Sequence, residues 1–144
     1  MTELFEDRCG LRLLWETMAV IEARIQTVED IYGLLRTAVT TRCSIAAVYE
    51  RRRRLLCPHR LGRNRAGQLR VLCYQYGGES GTGLEPIGSS ANWRCIAVEK
   101  LRAVSLLEDE GWCTASNHSR PQTCVTDVDV DAEDYPGRDP QNGH

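Results

Sequence analysis

Residues 43–76 read CSIAAVYERRRRLLCPHRLGRNRAGQLRVLCYQY, and the order of apolar runs and breaks in that stretch decides the fold. Residues 43–50 form a short apolar run with β-branched members, which suits a strand. Residues 51–54 are four arginines and read as a polar turn and the start of the next strand. Residues 55–61 continue that strand, and Pro58 removes one ladder donor, which places it at an edge or a bulge. Residues 62–67 (GRNRAG) form a turn by composition. In residues 69–76, Leu69, Val71 and Cys73 alternate with Arg70, Leu72 and Tyr74, so both faces are partly apolar.

Toward the C-terminus, residues 77–90 are rich in Gly and Ser, contain Pro86, and form a long loop. Residues 93–98 and 101–107 supply two more strands, separated by Glu99-Lys100. Five short strands in about 65 residues, behind a helix, predict a mainly β, α+β domain whose strands close into a small, highly curved five-stranded β-barrel. Residues 112–124 have no clear period and are expected to lie against the barrel. Residues 127–134 (DVDVDAED) are acidic, and the whole of 127–144 is expected to be disordered.

Toward the N-terminus, Leu11, Leu14, Trp15, Met18 and Ile21 follow the spacing of one helix stripe, and Ile31, Leu34, Leu35 and Ala38 form a second after Asp30. A helix-turn-helix reading head would need a polar, basic second helix, and this one offers only Arg36 and Arg42. Met18 is itself a possible start, so residues 1–17 read as an upstream extension. The division is therefore a helical extension over 1–28, the β domain over 29–126 and an acidic tail over 127–144.

The chain has 144 residues with 18 basic and 20 acidic side chains, and a net charge of −2. All basic residues but Lys100 are arginines. The total conceals segregation: residues 42–70 hold nine basic groups and one acidic, whereas 125–144 hold one basic and six acidic. No apolar run approaches the roughly 20 residues of a membrane span, and no secretory signal pattern is present. Seven cysteines, at 9, 43, 57, 73, 95, 113 and 124, include no Cys-x-x-Cys pair. Without an export signal they are expected to stay reduced in a cytoplasmic protein, as small buried hydrophobes.

Four blocks carry a resemblance: CPHRLG at 57–62, CYQYGGESGTGL at 73–84, WRC at 93–95 and HSRPQTCV at 118–125. Together with the strand ending at Tyr49 and the WRCIAVEKL run at 93–101, the chain resembles a WYL domain over residues 30–131, most closely the small stand-alone bacterial WYL-like proteins. It departs from the family at the naming tripeptide, where it has Arg70-Val71-Leu72. The resemblance implies an Sm-like barrel and a non-catalytic, cofactor-free role. That role is sensing a nucleic acid or nucleotide-like ligand in transcription regulation or phage defence, alongside a protein partner encoded nearby.

The basic group Arg51–Arg54, Arg60, Arg63 and Arg65 is the strongest physical candidate, since guanidinium groups bind phosphate bidentately. On a strand, alternate members of the quartet face opposite sides. The other readings are a solvated edge, a surface for an acidic protein partner, or a strip covered by the acidic tail. The Gly77–Gly83 loop offers Ser80 and backbone donors for an anion, but it lacks a P-loop Lys. Gln75 precedes it, and Arg94 falls where the resemblance implies a ligand-facing side chain. The expected anionic site is thus Arg53, Arg60, Gln75, Ser80 and Arg94. Cys57, His59, His118 and Cys124 form the one metal-like set; the competing reading is a packed cysteine and histidine that pin the tail. A Cys–His nucleophile lacks an oxyanion donor pattern, so no catalysis is expected.

Overall fold

The computed structural model describes residues 26–81, 83–113 and 123–135. The first predicted helix stripe and His118 lie outside them. Helix α1 (Val28–Thr41) starts at a capping box. The Thr27 hydroxyl accepts from the Asp30 amide, and the Thr27 amide donates to the Asp30 carboxylate, both at 3.0 Å. This satisfies two donors that a helix start otherwise leaves open. The helix stops at Arg42, which adopts a left-handed conformation (φ 53°). Ile31, Leu35, Ala38 and Val39 form its buried face.

Six strands follow: β1 (Ser44–Tyr49), β2 (Arg52–Arg63), β3 (Leu69–Gly78), β4 (Trp93–Ala97), β5 (Arg102–Leu107) and β6 (Asp127–Asp131). They form one antiparallel sheet in the order β4-β3-β2-β1-β5, with β6 on β2. α1 packs its apolar face on Ile45, Leu56, Leu61, Val71 and Ile96, which are fully buried. The described residues are thus mainly β with one helix.

Among the described residues the sheet is open: the mainly β class holds, and the strands do not close into the five-stranded barrel expected from the sequence. β4 and β5 lie at opposite ends of the strand order and are linked by the 3-10 turn Val98–Lys100, but no ladder joins them among the described residues.

β2 organises the sheet. One of its edges pairs with β3; the other pairs with β1 through Arg52–Leu56 and then with β6 through Arg60–Arg63. Pro58, which has no N–H, falls in the gap between the β1 and β6 ladders, beside a register shift on the β3 side. β6 approaches β2 so closely that a Cβ at Gly62 would run into the Asp127 carbonyl and the Val125 side chain.

β6 is a second correction. The acidity of residues 127–131 predicts disorder, yet they form a strand, because Arg60 and α1 supply partners for their carboxylates. A third correction concerns redox state. Cys95 and Cys124 form a disulfide that ties β4 to the segment entering β6, whereas Cys57, Cys73 and Cys113 keep their thiols.

The β5 ladder shows a shift opposite Ala46–Val48, where Val104 has no partner on β1. There the Gln26 side chain stands in for a strand: its amide nitrogen donates to the Val104 carbonyl and its oxygen accepts from the Val104 N–H, both at 3.0 Å.

Candidate anion-binding site

Strand register selects which arginines of the quartet meet. Arg54 pairs with Ala47, a core position, so its side chain lies on the inner face and is only 4% exposed. Arg53 pairs with Val48 on the opposite parity and is exposed. On β3, Gln75 pairs with Leu56 and shares its inner face, and on β4, Arg94 pairs with Cys73, another core residue. Three adjacent strands thereby carry Arg54, Gln75 and Arg94 to one place.

Both guanidinium groups converge on the Gln75 amide. Its Oε1 accepts from Arg94 Nε at 3.2 Å and from Arg54 Nη1 at 3.4 Å. Its Nε2 donates to the carbonyls of Gly77 and Glu79 at 2.9 and 2.8 Å, which shapes the loop after β3. Arg94 Nη2 then reaches that loop at the Ser80 hydroxyl (3.1 Å) and the Gly83 carbonyl (3.3 Å). The Arg52 guanidinium lies beside Gly81. At Gly78 (φ 82°) any Cβ would collide with the Arg53 backbone, so the loop must leave β3 on a glycine.

The charge balance is uneven. Among the described residues, no carboxylate pairs with Arg94. Arg54 meets one, Glu50, at 3.3 Å, and Glu50 is 58% exposed. Arg54 also lies 5.2 Å above the Tyr49 ring, and its Nε is buried without a hydrogen-bond partner. Burial, and secondarily the nearby Arg54 charge, lower the Arg94 pKa from its ordinary value. Two like charges, partly desolvated and sharing a neutral amide, leave net positive potential that an anion would neutralise.

Of the expected site residues, the structure brings Gln75, Ser80 and Arg94 together, adds Arg54, and leaves Arg53 on the other side. Arg60 is elsewhere: its Nε binds Asp131 Oδ2 at 2.8 Å, and both groups are partly buried. The basic strip downstream of Pro58 is therefore met by the acidic tail.

The metal-like set does not assemble. Cys124 is committed to its disulfide, and no group of three metal-ligating side chains exists among the described residues. Cys57 Sγ accepts from the Cys113 amide at 3.1 Å. His59 packs between Trp93 and Trp112, with centroids 4.8 and 4.6 Å away, and donates from Nδ1 to the Cys57 carbonyl at 2.8 Å. These residues fasten the Trp112 segment to the sheet. No helix among the described residues is long and apolar enough to cross a membrane. No protein-family model matches the chain, and no curated protein or solved structure matches it significantly.

Proposed function

We propose that this chain is a WYL-like, Sm-type domain that binds an anionic ligand, a nucleic acid or nucleotide, in a non-catalytic regulatory role such as transcription control or phage defence. The observation that carries the reading is the convergence of Arg54 and Arg94 on the neutral Gln75 amide, with Glu50 the one carboxylate paired to either among the described residues. A phosphate placed there would gain charge-assisted bonds from two guanidinium forks and from Ser80. The strand order supports the barrel part of the proposal, since β4 and β5 lie at its two ends and the three-residue 3-10 turn keeps one end of each beside the other.

The test is anisotropy of a labelled short oligothymidylate, with a mononucleotide as competitor. Affinity should fall steeply between roughly 50 and 200 mM salt, as counterion release requires. Arg94→Ala should weaken binding about tenfold or more, the scale of one or two charge-assisted bonds. Absence of binding at low salt, or equal binding by Arg94→Ala, rejects the reading. An acidic peptide that binds where the oligonucleotide does not would favour a protein-interaction module.

A further inference from the structure

The acidic strand β6 meets a second cluster of arginines. Asp131 pairs with Arg60, and Asp129 lies 3.4 Å from Arg36 Nε and accepts from the Tyr32 hydroxyl at 2.6 Å. Arg63 stands opposite Asp127 in the β2–β6 register, at the start of the same acidic strand. Arg60, Arg63 and Arg36 thus form one basic surface, with an extended, alternately acidic segment laid across it. At one end that segment is held by two bonds from the Arg42 guanidinium to the Ala132 carbonyl. At the other end it is held by the Cys95–Cys124 disulfide, three residues before β6 begins.

We propose that β6 is a disulfide-held cover over this second anion-binding surface, and that reduction of Cys95–Cys124 opens the surface to a polyanion. The geometry sets the order of the chemistry. Cys95 is exposed and Cys124 is buried. The thiolate of a dithiol reductant therefore attacks Cys95 Sγ. The Cys95–Cys124 bond breaks, and Cys124 leaves as a thiolate that takes up a proton. The reductant's second thiolate then displaces Cys95 and closes the reductant's own disulfide. Two electrons and two protons pass to the protein, and the dithiol is oxidised. Opening the cross-link, whose cysteines are 29 residues apart, restores chain entropy to the tail. The fraction of molecules with β6 detached should then rise on the order of a hundredfold. The ligand part of the proposal rests on the anion-binding reading above; the cover itself does not.

Amide hydrogen exchange on the full chain, before and after dithiothreitol, tests the cover. Protection at Val128–Asp131 is expected to fall about a hundredfold on reduction while α1, β1 and β3 keep theirs, and Cys95→Ser/Cys124→Ser should match the reduced protein without reductant. Unchanged β6 exchange overturns the proposal. Equal loss across α1, β1 and β3 also overturns it, because the disulfide would then hold the whole fold. The labelled oligothymidylate should bind the reduced form more tightly, and Arg60→Ala/Arg63→Ala should abolish the gain while leaving the Arg94-dependent binding. Exchange that shows release without any gain in binding overturns the ligand part. Failure to bind either form instead rejects the anion-binding function.

Discussion

Arg54 is the residue on which the site's cost and use meet. Its two polar side-chain bonds are long, at 3.3 and 3.4 Å, and its Nε has no partner. A buried charge compensated this weakly adds little to stability, and an apolar side chain of similar volume often replaces it without loss. Arg54→Met is therefore expected to leave unfolding free energy within about 1 kcal/mol of the parent while reducing oligothymidylate affinity about tenfold or more. Urea unfolding and anisotropy on the same variant check both halves, and a large loss of stability would contradict the account. That Arg54 rather than Arg53 enters the site was not legible in the sequence. Leu55 and Leu56 are both apolar, so the run carries no period that fixes parity; only the pairing with Ala47 does.

The β1–β2 hairpin places Glu50 and Arg51 as its two loop residues, with φ of 55° and 66°. Both occupy the left-handed region, the type I′ geometry for which Asn-Gly is preferred. Arg51→Gly should stabilise the protein by about 1 kcal/mol, read as a raised urea midpoint with unchanged slope; a lowered midpoint would show that the Arg51 side chain contributes more than its backbone costs. Most elements near this hairpin were readable from period and punctuation. The predicted strands at 43–50, 69–76, 93–98 and 101–107 correspond to β1, β3, β4 and β5 within a few residues. In β2, Pro58 points to an edge or a bulge, and it falls beside a register shift, in the gap where one neighbour gives way to another. β6 is not legible in this way. Its Asp-Val alternation has strand period, but its acidity argues for disorder until a basic strand across the sequence is known to receive it. The Cys95–Cys124 link likewise has no local motif, since only the fold brings its ends together.

For the molecule as a whole, the free thiols set an alkaline limit. Cys57 and Cys73 are fully buried, and burial raises both pKa values well above the ordinary thiol range. In the unfolded chain each thiol ionises near pH 8.5, while in the folded protein each keeps its proton. The folded state then binds more protons, so the stabilisation is full below about pH 8.5 and is lost as pH rises, by about 1.4 kcal/mol per pH unit for each thiol. Tyr32, pushed up to about 12 by burial and by Asp129, extends the decline above pH 10. Urea unfolding at pH 8 and pH 10 should show this fall, with a shallower slope for Cys73→Ala. Stability that is flat to pH 10 would contradict the burial argument.

A sheet that does not close keeps raw rims, and raw rims recruit other chains. On β5, an end strand of the sheet, Val104 lacks a partner on β1, and the Gln26 amide occupies both its N–H and its C=O, so this break in the ladder leaves a foreign strand nothing to pair with there. A single side chain thus acts as a stopper against fibril-like growth, achieving by local hydrogen bonding what other open sheets achieve with charged or proline-bearing edges.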